Sequence, residues 1–132
     1  MPPVKVMIVD DSAFVRRVIG KLLAEDPEIE VIGSANNGQE ALEKIPLFKP
    51  DVIVLDIEMP VLDGLSTLRR LMKTHPLPVI MLSTYTRPGS QATLEALALG
   101  AVDFMPKPAN PAEVASVVGE LAAKIKAAAA VP

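Results

Sequence analysis

Five short apolar runs recur along the chain, and a segment with helical periodicity follows each of them. The runs at residues 6–9, 52–55 and 79–82 are continuously apolar, the run at 101–105 is weaker, and the run at 29–32 alternates with polar residues. A strand needs continuous hydrophobicity when helices cover both faces of its sheet, whereas an edge strand is more mixed. The pattern therefore predicts a buried parallel sheet with residues 29–32 at an edge.

The segments between the runs have apolar residues three and four positions apart, which is the spacing of an amphipathic helix. The last segment begins at Pro111 and has an apolar face made of Val114, Val117, Val118, Leu121 and Ile125. Five strands that alternate with five helices through right-handed crossovers produce an α/β fold with a doubly wound sheet. We predict a five-stranded parallel sheet in the order 2-1-3-4-5.

The length and composition fit one domain. A chain of 132 residues that is 50% hydrophobic has enough apolar material for one core and no room for a second catalytic domain. We place the folded domain at residues 1–121. Residues 122–132 end in an alanine run without apolar periodicity, and we interpret them as a helix end or the start of a linker.

Charge and residue types exclude several classes of protein. The net charge is −3 and the basic residues are dispersed, so the positive surface that nucleic acid requires is missing. Every apolar run is far shorter than the roughly 20 residues of a membrane span. The chain has no cysteine, which excludes disulfides and thiolate zinc sites. We expect a cytoplasmic protein that binds neither nucleic acid nor membrane.

Polar residues follow four of the predicted strands directly. In a doubly wound sheet, ligands bind at the carboxyl ends of the strands, near the point where the strand order reverses. The residues expected at that edge are Asp10 and Asp11 after the first run, Asp56 and Glu58 after the third, Ser83 and Thr84 after the fourth, and Lys107 after the fifth. The sequence therefore predicts one polar site on one edge of the sheet.

The predicted site has the residue types for phosphoryl chemistry with a divalent cation. Carboxylates about 4 Å apart repel by about 4 kcal/mol at an effective dielectric near 20, so a positive charge must compensate Asp10, Asp11 and Asp56. Oxygen ligands favour Mg²⁺ or Mn²⁺, and Lys107 supplies a second positive charge. A carboxylate can attack phosphorus to form an acyl phosphate when such charges neutralise the transferring group.

Each of these residues also has a purely structural interpretation. Asp10 or Asp11 could cap the following helix, Asp56 could begin a turn, and Ser83 could be a cap or turn residue. Lys107 could be an ordinary exposed lysine at a strand end. The occurrence of all four features at the same ends of four strands favours a shared site. The single histidine, His75, is interpreted as a cation near a helix terminus rather than a base.

On these motifs the sequence resembles the response-regulator receiver family over about residues 4–109. The acidic pair of that family matches Asp10-Asp11, and its phosphoacceptor matches Asp56 in the segment 55–60. The resemblance implies a flavodoxin-like receiver fold and phosphorylation of Asp56 by a phosphohistidine kinase in the presence of Mg²⁺ or Mn²⁺. It also implies metal contacts from the carboxylates of Asp11 and Asp56, from the backbone carbonyl of Glu58, and from Asp10 through a water molecule.

The remaining family motifs match the second half of the chain. The resemblance implies that Ser83 is the switching hydroxyl, Lys107 the phosphoryl-binding lysine and Phe104 the switching aromatic residue. It further implies a cis peptide bond between Lys107 and Pro108. Phosphorylation is then expected to draw Ser83 inward, to move Phe104, and to change an output surface on the last helix, the fifth strand and the helix before it.

Within the receiver family, segments 11–17, 55–60 and 100–108 resemble the N-terminal regulatory domain of the chemotaxis protein-glutamate methylesterase. That resemblance implies a chemotaxis-type sensor histidine kinase as partner and a C-terminal methylesterase domain as possible output. This chain is not itself an esterase, because it has no Gly-x-Ser-x-Gly motif and only one histidine. It would perform only self-phosphorylation and its own dephosphorylation.

Three other functions remain as alternatives. A stand-alone receiver domain explains the alanine-rich end as well as a linker does. A phosphatase with an aspartate nucleophile would need further metal-binding acids after Lys107, where only Glu113 and Glu120 occur. A plain nucleotide-binding module would need a glycine-rich loop after the first strand, where the chain instead has two aspartates.

Overall fold

The computed structural model of the protein describes residues 2–83, 90–108 and 110–130. The five strands are β1 (Val4–Val9), β2 (Ile29–Ala35), β3 (Val52–Asp56), β4 (Val79–Ser83) and β5 (Asp103–Pro106). The helices are α1 (Ala13–Ala24), α2 (Gly38–Phe48), α3 (Gly64–Thr74), α4 (Gln91–Leu99) and α5 (Val114–Ala130), and a short 3-10 turn, Pro111–Glu113, precedes α5. Strands and helices alternate as predicted.

All strand pairs are parallel, and the sheet has the order β2-β1-β3-β4-β5. This confirms the predicted doubly wound α/β sheet and places β2 at an edge, as its mixed pattern indicated. The reversal of strand order lies between β1 and β3, which pair from Val6 with Val52 to Val9 with Leu55. The carboxyl ends of these two strands therefore lie side by side at the centre of the sheet.

Apolar side chains on the two faces of the sheet form two separate cores. One core packs α1 and α5 against the sheet through residues such as Ile19, Leu23 and Leu121. The other packs α2 and α3 through residues such as Ile45, Leu68 and Leu71. Every residue of β3 and β4 is buried, because helices cover both faces of the sheet at these strands. The covered centre of the sheet is a rigid support for the loops at its edge.

Polar residues begin four of the helices. Ser12, Asn37, Asp63 and Ser90 are the N-cap residues of α1, α2, α3 and α4, and each side chain accepts a hydrogen bond from the backbone of the first turn. The cap of α1 is therefore Ser12. The alternative in which Asp10 or Asp11 serves only as that cap is wrong, and both aspartates are available for another purpose.

The end of the chain packs more extensively than its composition indicates. Helix α5 runs to Ala130, and Ile125 and Ala128 on it are buried in the core that it shares with α1. Lys126 also binds Asp26 and Glu28 at 2.9 and 3.0 Å, and both acids lie in the loop between α1 and β2. Packing thus continues past residue 121. Among the residues that the structure describes, none of the helices has the length and hydrophobicity of a transmembrane helix.

Candidate functional site

The reversal point of the sheet brings three carboxylates together. Asp10 directly follows β1, and Asp56 is the last residue of β3. Both side chains are completely buried, although they lie at the carboxyl ends of their strands. Asp11, the next residue after Asp10, is exposed. One oxygen from each of Asp10, Asp11 and Asp56 lies within 4.8 Å of the others. The structure therefore brings together the acidic residues that the strand ends predicted.

Lys107 joins this cluster from the loop after β5. Its backbone N–H donates to the carbonyl of Ser83 at 3.0 Å, which ties the loop to the end of β4. Its ammonium nitrogen lies 3.1 Å from Oδ2 of Asp10 and 3.1 Å from Oδ2 of Asp56. Neither oxygen accepts a well-directed hydrogen bond from the described residues, so the contacts with Lys107 are ionic. One lysine thus shares its charge between two buried carboxylates.

Burial and mutual repulsion keep these carboxylates partly uncompensated. Burial is the largest effect that raises the pKa of Asp10, and hydrogen bonding from Ser12 and the charge of Lys107 only partly oppose it. Burial and then the negative charge of Asp10 raise the pKa of Asp56 to about 7. Burial acts to lower the pKa of Lys107, but Asp10 and Asp56 outweigh it and the pKa is raised. The single positive charge of Lys107 therefore does not fully compensate the negative charges of Asp10 and Asp56.

The donor set fits a hard divalent cation. The cluster offers carboxylate oxygens only, and the buried Oδ2 atoms of Asp10 and Asp56 lack directed hydrogen bonds within the described residues. Oxygens around one Mg²⁺ lie within about 4 Å of one another, so small side-chain movements would close this cluster around an ion. A second positive charge in that position would offset the repulsion that raises both pKa values. The acidic pocket is therefore suited to a divalent cation.

Ser83 and Glu58 form a contact that the strand-end pattern did not indicate. The Ser83 hydroxyl, buried at the end of β4, donates to Oε2 of Glu58 at 2.6 Å. The backbone N–H of Glu58 in turn donates to Oδ1 of Asp56 at 3.2 Å. Glu58 therefore lies beside the acidic pocket with its carboxylate bound to the hydroxyl, while the expected role of its carbonyl stays a prediction.

Gly64 allows the loop after β3 to close tightly over the site. A Cβ atom on Gly64 would lie 2.2 Å from the carbonyl oxygen of Asp56 and 2.7 Å from Cα of Ile57. The N–H of Gly64 donates to the carbonyl of Ile57 at 2.8 Å, and Asp63 caps α3. No larger residue fits this approach, so the Asp63-Gly64 pair holds the segment with Glu58 against the end of β3.

Phe104 is the second residue of β5. It is half-buried against the core that contains Met81, its partner residue on β4. The ammonium of Lys124 on α5 lies 5.8 Å from the ring centroid, binds Asp103 at 2.9 Å, and donates to the Phe104 carbonyl at 3.2 Å. Residue spacing did not predict this lysine contact, since it joins residues 20 positions apart. A switching role for Phe104 stays a prediction.

Two further expectations concern single residues. His75 is the exposed C-cap residue of α3, away from the acidic pocket, in accord with its interpretation as a helix-terminal residue. No peptide bond in the described ranges is cis, so the expected cis bond between Lys107 and Pro108 is wrong for this structure. Trans is the lower-energy form of an X-Pro bond by about 0.5–1 kcal/mol, and here it is the form adopted. Thr84 falls outside the described residues.

Replacing Lys107 with methionine is expected to destabilise the protein by about 2 kcal/mol at pH 7. The change removes the only cation in contact with the buried oxygens of Asp10 and Asp56 among the described residues. The loss stays below that of an unpaired buried charge, because the carboxyls can take up protons instead. Urea unfolding measures the change. The deficit should shrink at pH 5, and a deficit that does not depend on pH would argue against these ion pairs as its cause.

Comparisons with known proteins agree with this geometry. A model of the response regulator receiver domain family matches residues 6–119. A protein-glutamate methylesterase/protein-glutamine glutaminase from Syntrophomonas wolfei is 56% identical over 131 residues, which are 98% of this chain and 37% of that relative. The chain spans about a third of the length of the curated relatives it matches.

Two solved structures are also similar to this chain. The response regulator domain of Thermotoga maritima CheB is 44% identical, with a TM-score of 0.93 and coverage of 98% of both chains. A chain in the structure of the P1 domain of CheA3 in complex with CheY6 from R. sphaeroides is 37% identical, with a TM-score of 0.82 and coverage of 99% of this chain and 100% of that one. With the sheet order and the acidic pocket beside Lys107, these matches show that the chain belongs to the response regulator receiver domain family.

Proposed function

We propose that Asp56 accepts a phosphoryl group and that the acidic pocket binds Mg²⁺ for this reaction. The observation that carries the proposal is the buried Asp56 carboxylate at the reversal point of the sheet, 3.1 Å from Lys107 and within 4.8 Å of the oxygens of Asp10 and Asp11. Asp11 and Asp56 would hold the ion through their carboxylates, Asp10 through a water molecule, and Glu58 through its carbonyl. Mn²⁺ has the same ligand preference and would substitute.

In the proposed reaction, a carboxylate oxygen of Asp56 forms a bond to phosphorus while the bond from phosphorus to the donor breaks. The donor leaves with the electron pair of that bond, and Asp56 becomes an acyl phosphate. Lys107, whose ammonium lies 3.1 Å from Oδ2 of Asp56, would neutralise one oxygen of the transferring group. A cation held by the acidic pocket would supply further charge neutralisation. Because burial and Asp10 raise the pKa of Asp56, the ion would also favour the ionised nucleophile at neutral pH.

The phosphorylated state is expected to change the contacts of Ser83. The hydroxyl donates to Glu58 in the present structure, and the new phosphoryl oxygens would offer it a stronger acceptor beside Lys107. Phe104 would then fill the space behind Ser83, and the surface formed by α4, β5 and α5 would change. A shift from 1:99 to 99:1 requires about 5.5 kcal/mol, which two or three charge-assisted hydrogen bonds can supply.

The partners of the chain are inferred from its relatives. The receiver-like chain found with the P1 domain of CheA3 supports a chemotaxis-type histidine kinase as phosphoryl donor. The methylesterase relatives are about three times as long as this chain, which supports a parent protein in which a methylesterase domain follows α5. In that arrangement the linker would begin after Ala130 rather than inside the packed helix.

Labelling with acetyl phosphate tests the proposed function. We expect incorporation of one phosphoryl group per chain with MgCl₂ or MnCl₂, almost none with EDTA, and release of the group by hydroxylamine, which cleaves acyl phosphates. Intact-mass measurement follows the uptake and the release. Labelling that is equally fast in EDTA, or a product that hydroxylamine leaves intact, would contradict the proposal.

A further inference from the structure

Asp11 differs from the other acidic residues in how it is held. Asp10 accepts a hydrogen bond from the Ser12 N–H at 2.9 Å, Asp56 accepts one from the Glu58 N–H at 3.2 Å, and Lys107 contacts both. Asp11 is exposed, and its carboxylate has no hydrogen bond or ion pair with any other residue that the structure describes. Its direction is therefore set by the backbone that carries it.

Arg16 is one of the groups that hold that backbone. The carbonyl of Asp10 and the N–H of Asp11 belong to one peptide plane, which is rigid because of its partial double bond. On the preceding side, the N–H of Asp10 donates to the Ala35 carbonyl at 3.1 Å and ties the chain to β2. On the following side, the Nη1 group of Arg16 donates to the Asp10 carbonyl. Together with the hydrogen bond from the Ser12 N–H to Oδ1 of Asp10, these two bonds constrain the backbone from which the Asp11 side chain leaves.

Arg16 is itself held by the fold. It lies on α1, where its backbone N–H donates to the carbonyl of the N-cap residue Ser12 at 3.0 Å, and its side chain is half-buried. Its positive charge also acts on Glu40 of α2. The pKa of Glu40 is lowered chiefly by a hydrogen bond from Lys44, with the charge of Arg16 as a smaller contribution. The neighbouring Arg17 is exposed and has no such contact among the described residues.

We propose that Arg16 is a positioning residue for the metal site, which orients the Asp11 carboxylate by holding the Asp10–Asp11 peptide plane. The inference rests on the proposed function, since it requires Asp11 to be a metal ligand. Arginine suits the position because its planar guanidinium presents several donors in a fixed geometry, whereas lysine carries a single flexible ammonium. Groups that orient metal ligands typically contribute about 10- to 100-fold to metal affinity.

Titration with Mn²⁺, followed by the EPR signal of the free ion, tests the inference. Arg16→Met should weaken Mn²⁺ binding about 10-fold, and Arg16→Lys should lose less because it keeps a donor and the charge. Arg17→Met is the matched control, since it removes the same charge one residue away, and it should bind Mn²⁺ as the wild type does. Thermal unfolding of each variant shows whether it is folded, and Arg16→Lys carries the test if Arg16→Met is not.

A double-mutant cycle separates positioning from a general structural effect. If Arg16 acts through Asp11, the Arg16→Met change should have little further effect on Mn²⁺ affinity in an Asp11→Asn background. Equal affinities of Arg16→Met and Arg17→Met, or an undiminished loss in the Asp11→Asn background, would overturn the inference and leave the metal site in place. Absence of Mn²⁺ binding by the wild type would instead refute the proposed function, so the two failures are distinguishable.

Discussion

Replacing Asp56 with asparagine is expected to reduce phosphoryl uptake from acetyl phosphate at least about 100-fold. The amide has nearly the shape of the carboxylate but is not a nucleophile, so Lys107, Ser83 and the other acids stay in place while the bond to phosphorus cannot form. A loss of this size corresponds to about 2.7 kcal/mol or more in the barrier. Intact-mass measurement of the labelled fraction over time gives the rate.

Asp51→Asn is the matched control for this variant. Asp51 directly precedes β3, the strand that ends at Asp56, and its exposed carboxylate accepts a hydrogen bond from the Lys5 N–H at the opposite edge of the sheet. The control should label at the wild-type rate. Comparable labelling of Asp56→Asn and wild type would show that another residue accepts the phosphoryl group, and loss of labelling in both variants would indicate a general defect.

The same substitution should make the protein more stable in metal-free solution, by about 4 kcal/mol at pH 8. The pKa of Asp56 is raised to about 7 in the folded protein, chiefly by burial and then by Asp10, against about 3.9 in an unfolded chain. Each unit of that difference is worth about 1.4 kcal/mol. Asparagine stays neutral at every pH and therefore avoids the energy needed to ionise the buried group.

The sign of the pH dependence follows from the raised pKa. The folded protein binds the Asp56 proton more tightly than the unfolded chain, so the stability that this proton contributes is complete below about pH 4 and is lost as the pH rises through about 7. The advantage of Asp56→Asn should therefore be small near pH 4, grow through pH 5 and 6, and level off above pH 8. Urea unfolding of both proteins across this range measures the difference.

Mg²⁺ provides the control for the pH experiment. An ion bound by the wild type adds stability by mass action, and it compensates the negative charge of Asp56, which the asparagine variant lacks. The difference in unfolding free energy between the two proteins should therefore shrink or reverse when MgCl₂ is added. A difference that is constant with pH would mean that the energetic effect of Asp56 does not come from its ionisation. A difference that Mg²⁺ leaves unchanged would argue against metal binding by the wild type.

These two results are connected by one feature of the site. In the metal-free protein the positive charge of Lys107 does not compensate the negative charges of the three acids. The pKa values of Asp10 and Asp56 are both raised, chiefly by burial, although Lys107 contacts both residues. Strain of this kind is common where function requires it, and the rest of the fold must be stable enough to tolerate it. The buried centre of the sheet, in β3 and β4, supplies that stability.

The sequence by itself determined the architecture and the composition of the site. Continuous apolar runs separated by helical segments are compatible with few folds other than a buried parallel sheet, and the carboxyl ends of parallel strands must meet at one edge. The position of Asp10, Asp11, Asp56, Ser83 and Lys107 in the chain was therefore enough to predict that they lie together. Local periodicity and strand ends are properties that a linear pattern records.

Only the tertiary structure decided which of these groups touch. The bond from Ser83 to Glu58 joins residues 25 positions apart, Lys107 contacts Asp10 from the other end of the chain, and Lys124 reaches across to Phe104. The trans bond at Pro108 likewise differs from what the resemblance indicated, and α5 continues to Ala130, which accords with the helix-end interpretation of the last residues. Side-chain partners depend on how helices lie over the sheet, and that packing depends on shape and volume across distant segments, which residue spacing does not encode.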